Sequence, residues 1–173
     1  MPRENARLVA ALLDHGASIE SVTETETTPS IGGTALYQAA EWGYTTTARI
    51  LLAHSANPNY VGSGGAPALM QAISRRKADL AGLLLEKGAN PNARDSQGYT
   101  ALAMASEFAH DPEMEDRAAR LGDASAKSLI VLLLKYHADP NLKNENGTTA
   151  LFWVCQSNRP DLIQMLIRAG AKE

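Results

Sequence analysis

Residues 34–59 read TALYQAAEWGYTTTARILLAHSANPN, and related stretches return along the rest of the chain. Residues 67–92 read PALMQAISRRKADLAGLLLEKGANPN, and residues 149–171 read TALFWVCQSNRPDLIQMLIRAGA. A further copy begins at Thr100 and is interrupted before it ends as SLIVLLLKYHADPN. Repetition at a fixed spacing indicates stacked structural units, which present an extended surface rather than a cleft.

Two landmarks set the period of the repeat at 33 residues. The element Gly-x-(Thr/Pro)-Ala-Leu recurs at spacings of 33, 33 and 49 residues, beginning at Gly32, Gly65, Gly98 and Gly147. An alanine after a helix end recurs at spacings of 39, 33, 49 and 33 residues, at Ala17, Ala56, Ala89, Ala138 and Ala171. The period is therefore broken by two insertions, one of 6 residues (39 − 33) and one of 16 residues (49 − 33).

Each copy predicts two short helices and a turn. A threonine hydroxyl at the start of the first helix accepts a hydrogen bond from a free backbone N–H, at Thr34, Thr100 and Thr149. The second helix carries paired aliphatic residues and ends at a position suited to left-handed backbone, held by Gly16, Gly88 and Gly170. Ser55 and His137 take this position with a Cβ, at a cost of about 1 kcal/mol each.

These features resemble ankyrin repeats, which have Thr-Pro-Leu-His early and Gly-Ala-Asp-x-Asn late in each unit. The resemblance covers nearly the whole chain outside the insertions. It implies an all-α solenoid of stacked helix-turn-helix units with short β-hairpin fingers. The family's histidine, which ties the turns of adjacent units, is replaced in every copy, by Tyr37, Met70, Ala103 and Phe152.

We predict one domain over residues 1–173, made of a partial unit and four complete ones. Their approximate bounds are 1–26 (partial), 27–61, 62–94, 95–143 with an insertion at 110–123, and 144–173. Terminal units of such arrays normally carry a polar outer face. The last helix instead keeps five apolar residues, so we expect a truncated array or a degenerate terminal unit rather than a homodimer: Leu162, Ile163, Met165, Leu166 and Ile167.

The insertions are open to two interpretations each. The first, Ser21–Ile31, is threonine-rich and carries two acidic residues, so it is expected to be extended. It is either a tolerated long loop or an arm that reaches a partner. The second, roughly His110–Asp123, contains five acidic and two basic residues and predicts a short acidic helix beginning at Asp111. It is either a contact element or a solvated addition.

Composition and motifs argue against chemistry. The net charge of −3 gives no electrostatic case for nucleic acid or an acidic membrane surface, and no apolar run approaches the roughly 20 residues that span a bilayer. No zinc-protease, serine-hydrolase or phosphate-loop motif is present. His15, His54 and His137 fall in different units, at least one unit apart, too far to share a metal ion. We therefore predict no enzyme, no metal and no cofactor.

Two further groups have simple structural explanations. Cys155 falls at a small-residue position of a first helix and is predicted to be a buried, inert thiol. The run Arg75-Arg76-Lys77 between two helices is predicted to be a solvated cluster, because cations are favoured at helix carboxyl ends. The alternative for this run is a contact with an acidic partner segment.

The resemblance implies a protein-binding module that uses its concave face, formed by finger tips and first helices. Carrying the family's variable surface positions onto this chain gives a partner-binding set of Ile31, Glu41, Trp42, Arg75, Gln97, Tyr99, Glu107, Phe108, Glu145 and Gln156. Tryptophan and tyrosine dominate interface hot spots, so Trp42 and Tyr99 are candidate anchors. The alternative for Trp42 and Phe108 is that they fold over helix ends and seal the stack. Trp153 lies on the packed face and is predicted to be core.

Two classes of function remain open for this sequence. The first is a cytoplasmic, monomeric module that binds another protein and neither nucleic acid nor membrane. Within that class it could be an inhibitor or immunity-type blocker of an enzyme. The other class is a structural or regulatory segment of a larger protein, with no independent partner. A small-ligand site needs an enclosed pocket, which an open stack lacks.

Overall fold

The computed structural model describes residues 5–22, 33–61, 65–110 and 125–172. Within these ranges the chain forms nine α-helices of 7 to 10 residues and a short 3-10 helix, Phe108–His110. The first helices of the complete units are α2 (Ala35–Trp42), α4 (Ala68–Ser74), α6 (Ala101–Glu107) and α8 (Ala150–Gln156). The second helices are α1 (Ala6–Asp14), α3 (Thr45–Ala53), α5 (Ala78–Glu86), α7 (Ala126–Lys135) and α9 (Pro160–Arg168).

The helices stack in two layers. Each first helix packs against the second helix of its own unit, and successive first helices pack against one another. Fully buried alanines, with no exposed surface, allow the first helices to approach closely: Ala40, Ala72 and Ala105. The predicted all-α solenoid is confirmed, and its core is almost entirely aliphatic, with leucines such as Leu36, Leu69 and Leu102 at 1% exposure.

The predicted helix starts and ends are also confirmed. The hydroxyls of Thr34, Thr100 and Thr149 each accept a hydrogen bond from the backbone N–H three residues on, at 3.3, 3.2 and 3.3 Å. Ser55 and His137 follow second helices with φ of 69° and 63°, in the left-handed region where the other units have glycine. Both side chains are exposed, so the cost of that backbone is not offset by burial.

The fingers between units are tight turns in the described residues. The predicted β-hairpins are not confirmed, because only isolated antiparallel bridges are found there, Val61 with Pro67 and Arg94 with Thr100. Gly98, at φ 75°, lies where an added Cβ would come within 3.2 Å of the backbone of Asn144. Glycine is therefore favoured here, because a side chain would strain the left-handed backbone and push against the neighbouring finger.

Asparagine side chains join successive units at the far side of the second helices. Asn59, Asn92 and Asn141 each accept a hydrogen bond from a backbone N–H of the next unit, at 2.7, 2.7 and 2.8 Å. Each also donates to a backbone carbonyl of that unit, at 2.9, 3.4 and 2.9 Å. Glu20 occupies the equivalent position in the partial first unit, and its carboxylate accepts a hydrogen bond from the Asn57 N–H at 2.7 Å. We call this set the asparagine ladder. It links the turns of units that lack the family's histidine.

Most of both predicted insertions lies outside the described residues, and so does the predicted site residue Ile31. In the part of the chain that is described, no helix is both long and apolar enough to cross a membrane.

Candidate binding surface

The carboxyl ends of the first helices form one edge of the array. Trp42 ends α2 and is 51% exposed, and the chain turns away from it at Gly43, which has φ 73°. Glu41 beside it is partly exposed, and Arg75, one unit on, is exposed. Because successive first helices pack side by side, Trp42, Arg75 and Phe108 occupy corresponding places in three neighbouring units.

The basic run behind this edge differs from its prediction. Arg76 is only 6% exposed, so the expected solvated cluster is wrong for this residue. Its guanidinium lies 4.3 Å from the centroid of the Phe108 ring, a cation–π contact that is stronger when shielded from water. Its φ of 55° matches Gly43 at the same place in the preceding unit. That correspondence was the signal in the sequence for a helix end at Arg76.

Phe108 therefore packs over a helix end, which was the alternative to a partner-binding role for this residue. The ring is half-buried and packs against the aliphatic core, with Arg76 across its face.

Tyr99 also takes part in packing. Its ring centroid lies 6.1 Å from that of Trp153, in the next unit. Burial raises the pKa of the Tyr99 phenol to about 12, and the charges of Glu107 and Asp95 add to that rise. Trp153, predicted as core, is only partly buried and also meets Phe152 edge-on at 5.5 Å. The Tyr99 ring thus joins two units, which lowers its weight as a free anchor.

The remaining predicted positions are exposed and polar. Gln97 and Glu145 lie at the tips of adjacent fingers, which are joined by a hydrogen bond from the Glu145 N–H to the Gln97 carbonyl at 3.1 Å. Glu107 and Gln156 are exposed at the ends of their helices. We call the exposed members of the predicted set, together with the partly exposed Glu41, the first-helix surface: Glu41, Trp42, Arg75, Gln97, Glu107, Glu145 and Gln156.

Cys155 is exposed, so the prediction of a buried thiol is wrong. The corresponding residues Ala40, Ile73 and Ser106 have no exposed surface, because the unit that follows covers each of them. No unit follows α9 among the described residues, and Phe152, which lies on α8 with Cys155, is accordingly 44% exposed. The position correctly predicts burial for a unit inside the array, but it fails for the unit of Cys155, which no described unit covers.

The histidines provide a link between helices. His54 Nε2 lies 3.4 Å from Asp14 Oδ1, which connects α3 to α1. The Ile50 carbonyl, 2.9 Å from Nδ1, raises the pKa of His54, and Asp14 raises it further. In the described ranges, no three His, Cys, Asp or Glu side chains gather so that they could hold a metal ion.

Comparison with known families agrees with this architecture. Two family models described as "Ankyrin repeats (many copies)" match residues 51–105 and 116–167. A third, described as "Ankyrin repeat", matches residues 32–63. No curated protein matches the chain.

Proposed function

Because the chain belongs to the ankyrin-repeat family, whose members are generally protein-interaction modules, we propose that it binds another protein through the first-helix surface. That family is typically non-enzymatic, and the proposed role is non-catalytic. We also propose that the protein is monomeric and cytoplasmic and that it binds neither nucleic acid nor membrane. The net charge of −3 supports the part that concerns nucleic acid.

The exposure of Trp42 is the observation that carries the proposal. A tryptophan that leaves half of its surface in water gains strongly when a partner covers it, and such residues lead interface hot spots. Glu41 adjoins Trp42, and Arg75 occupies the corresponding place one unit on, so charges of both signs are available for a polar rim around the anchor. We infer a partner with an apolar pocket for the indole and charged groups at the edge of that pocket.

The stack also supports the mechanism of binding. Trp42 ends a helix whose other face is buried against α3 and α4, so the surface is formed before the partner arrives. A preformed surface loses little conformational entropy on docking, which leaves more of the contact energy as affinity.

The test is affinity capture from extracts of the source cell with three forms of the chain: wild type, Trp42→Ala and Leu8→Ala. Leu8, on α1, is 56% exposed and lies outside the first-helix surface, so it controls for the loss of any exposed apolar side chain. We expect a partner that wild type and Leu8→Ala retain and that Trp42→Ala loses. With the purified partner, Trp42→Ala should cost about 2 kcal/mol or more, roughly 30-fold in Kd.

Two results would overturn the proposal. Equal capture by all three forms would place the binding site elsewhere. Capture of nothing by any form would favour the alternative of a structural or regulatory segment without an independent partner.

A further inference from the structure

A groove of about 590 Å³ crosses the second helices α3, α5 and α7. None of the residues that line it belongs to a first helix or a finger, so it is separate from the first-helix surface. Gly82 and Leu83 of α5 form its floor, with Arg49 of α3 on one side and Val131 of α7 on the other. Val131 is 47% exposed, which leaves apolar surface open to solvent in the groove. We call this feature the second-helix groove.

Gly82 is a locally unfavourable residue in the middle of α5, because glycine weakens a helix interior relative to alanine. An added Cβ would meet only a Leu132 methyl at 3.9 Å, an ordinary contact, and the backbone there is not left-handed. Neither packing nor conformation within the chain therefore requires glycine. Every other second helix carries a side chain at this position: Ala10, Arg49, Val131 and Gln164.

Two carboxylates bracket the glycine along α5. Asp79 lies three residues before Gly82 and Glu86 four residues after it, so all three share one face of the helix. The two acidic residues are seven positions apart, which is about 10 Å along the axis. Within the described ranges, neither takes part in an ion pair or a side-chain hydrogen bond.

Glu86 is a second unfavourable local choice, because an acidic residue in the last turn opposes the helix dipole. A glycine and an acidic residue both weaken the same exposed face of this helix, and local choices that oppose the fold are expected at functional sites. The missing side chain leaves a gap into which a ridge of an approaching helix can pack, and the carboxylates on either side favour basic residues on that helix.

We propose that the second-helix groove binds an α-helix of a partner protein, seated along α5. Its basic residues, seven positions apart, pair with Asp79 and Glu86, and an aliphatic residue between them fills the space above Gly82. Arg49 and Lys135 line the groove on the flanking helices, so acidic residues on the edges of the partner helix complete the match. This is a second interaction surface, independent of the one proposed around Trp42.

The probe is a fluorescent, alanine-rich helical peptide with Arg at positions i and i+7, Leu at i+3 and i+4, and Glu on its edges. Its control is the charge-reversed peptide, with Arg and Glu exchanged. We expect fluorescence anisotropy to show saturable binding of the first peptide to the intact chain below about 1 mM and no binding of the control. Asp79→Asn combined with Glu86→Gln should weaken binding about 5- to 20-fold.

Substitutions of the floor distinguish a seated helix from general charge attraction. Gly82→Leu should abolish binding while circular dichroism shows the fold retained, since the space beside Gly82 is open and leucine favours helix. Gln164→Leu places the same side chain at the matching position of α9, outside the groove, and should leave binding unchanged. Trp42→Ala should also leave it unchanged, which separates this inference from the proposed function. Unaltered binding to Gly82→Leu, equal binding of the charge-reversed peptide, or no binding of either peptide would overturn the proposal.

Discussion

Replacing Asn92 with alanine removes the side chain that joins the third and fourth units in the asparagine ladder. The amide oxygen then no longer accepts from the Asp139 N–H at 2.7 Å, and the amide nitrogen no longer donates to the His137 carbonyl at 3.4 Å. A net hydrogen bond contributes about 0.5–1.5 kcal/mol, and the longer of these two lies at the weak end of that range. We therefore expect Asn92→Ala to lower the free energy of unfolding by about 1–2 kcal/mol.

Urea unfolding followed by far-ultraviolet circular dichroism measures this loss. Asn146→Ala is the matched control, because the Asn146 side chain is exposed and forms no hydrogen bond within the described residues. A loss of 1 kcal/mol should also lower the Tm by about 2–4 °C in a chain of this size. A decrease in the urea dependence of unfolding would show, in addition, that the two halves of the array unfold separately.

An equal change of the unfolding midpoint by Asn92→Ala and Asn146→Ala would contradict a stabilising role for the asparagine ladder. Water would then replace the ladder bonds without loss, and the stacked apolar faces alone would couple the units.

The remaining predictions concern local backbone and titration. Ser55→Gly and His137→Gly should each raise the free energy of unfolding by about 1 kcal/mol, because both residues have positive φ; a lower Tm for both would contradict this. The pKa of Tyr99 is raised to about 12, so the unfolded chain loses the phenol proton at lower pH than the folded chain, and the free energy of unfolding should fall as pH rises from about 10 to about 12. Tyr99→Phe should remove the component of the ultraviolet titration that appears at the highest pH. An unchanged titration would contradict this assignment. The pKa of His54 is raised, so the stability that His54 contributes is present below its ordinary pKa of 6.5 and is lost as pH rises through its pKa in the folded chain. Asp14→Asn should lower the pKa of His54 in an NMR titration. An unchanged pKa would show that Asp14 has no part in the shift.

Most of the fold could be predicted from the sequence because it depends on short-range, repeated requirements. A threonine cap, a small residue between helices and a left-handed helix end each recur at a fixed interval, so every copy supports the others. Ser55 and His137 show the strength of this reasoning, since their positive φ followed from alignment with glycines alone. The asparagines of the ladder stand in the sequence in two Asn-Pro-Asn segments and one Asp-Pro-Asn segment, but their hydrogen bonds depend on how far apart the units stack.

The predicted site was less secure because burial in a stack depends on the neighbouring unit. Phe108 and Tyr99 are at family surface positions, yet Arg76 covers one ring and Trp153 meets the other. The prediction for Cys155 was wrong in the opposite direction, because its side chain was expected to be buried and is exposed. This position is buried only where another unit follows. The second-helix groove escaped prediction because it is shared by three helices that are far apart in sequence.

Hydrogen–deuterium exchange of the purified complex can show whether a partner protein binds at the first-helix surface. Partner binding should slow exchange at residues 41–43, 96–99 and 145–148 and leave exchange at residues 79–86 unchanged. Protection limited to the second helices, with the amides around Trp42 exchanging as fast as in the free chain, would contradict it.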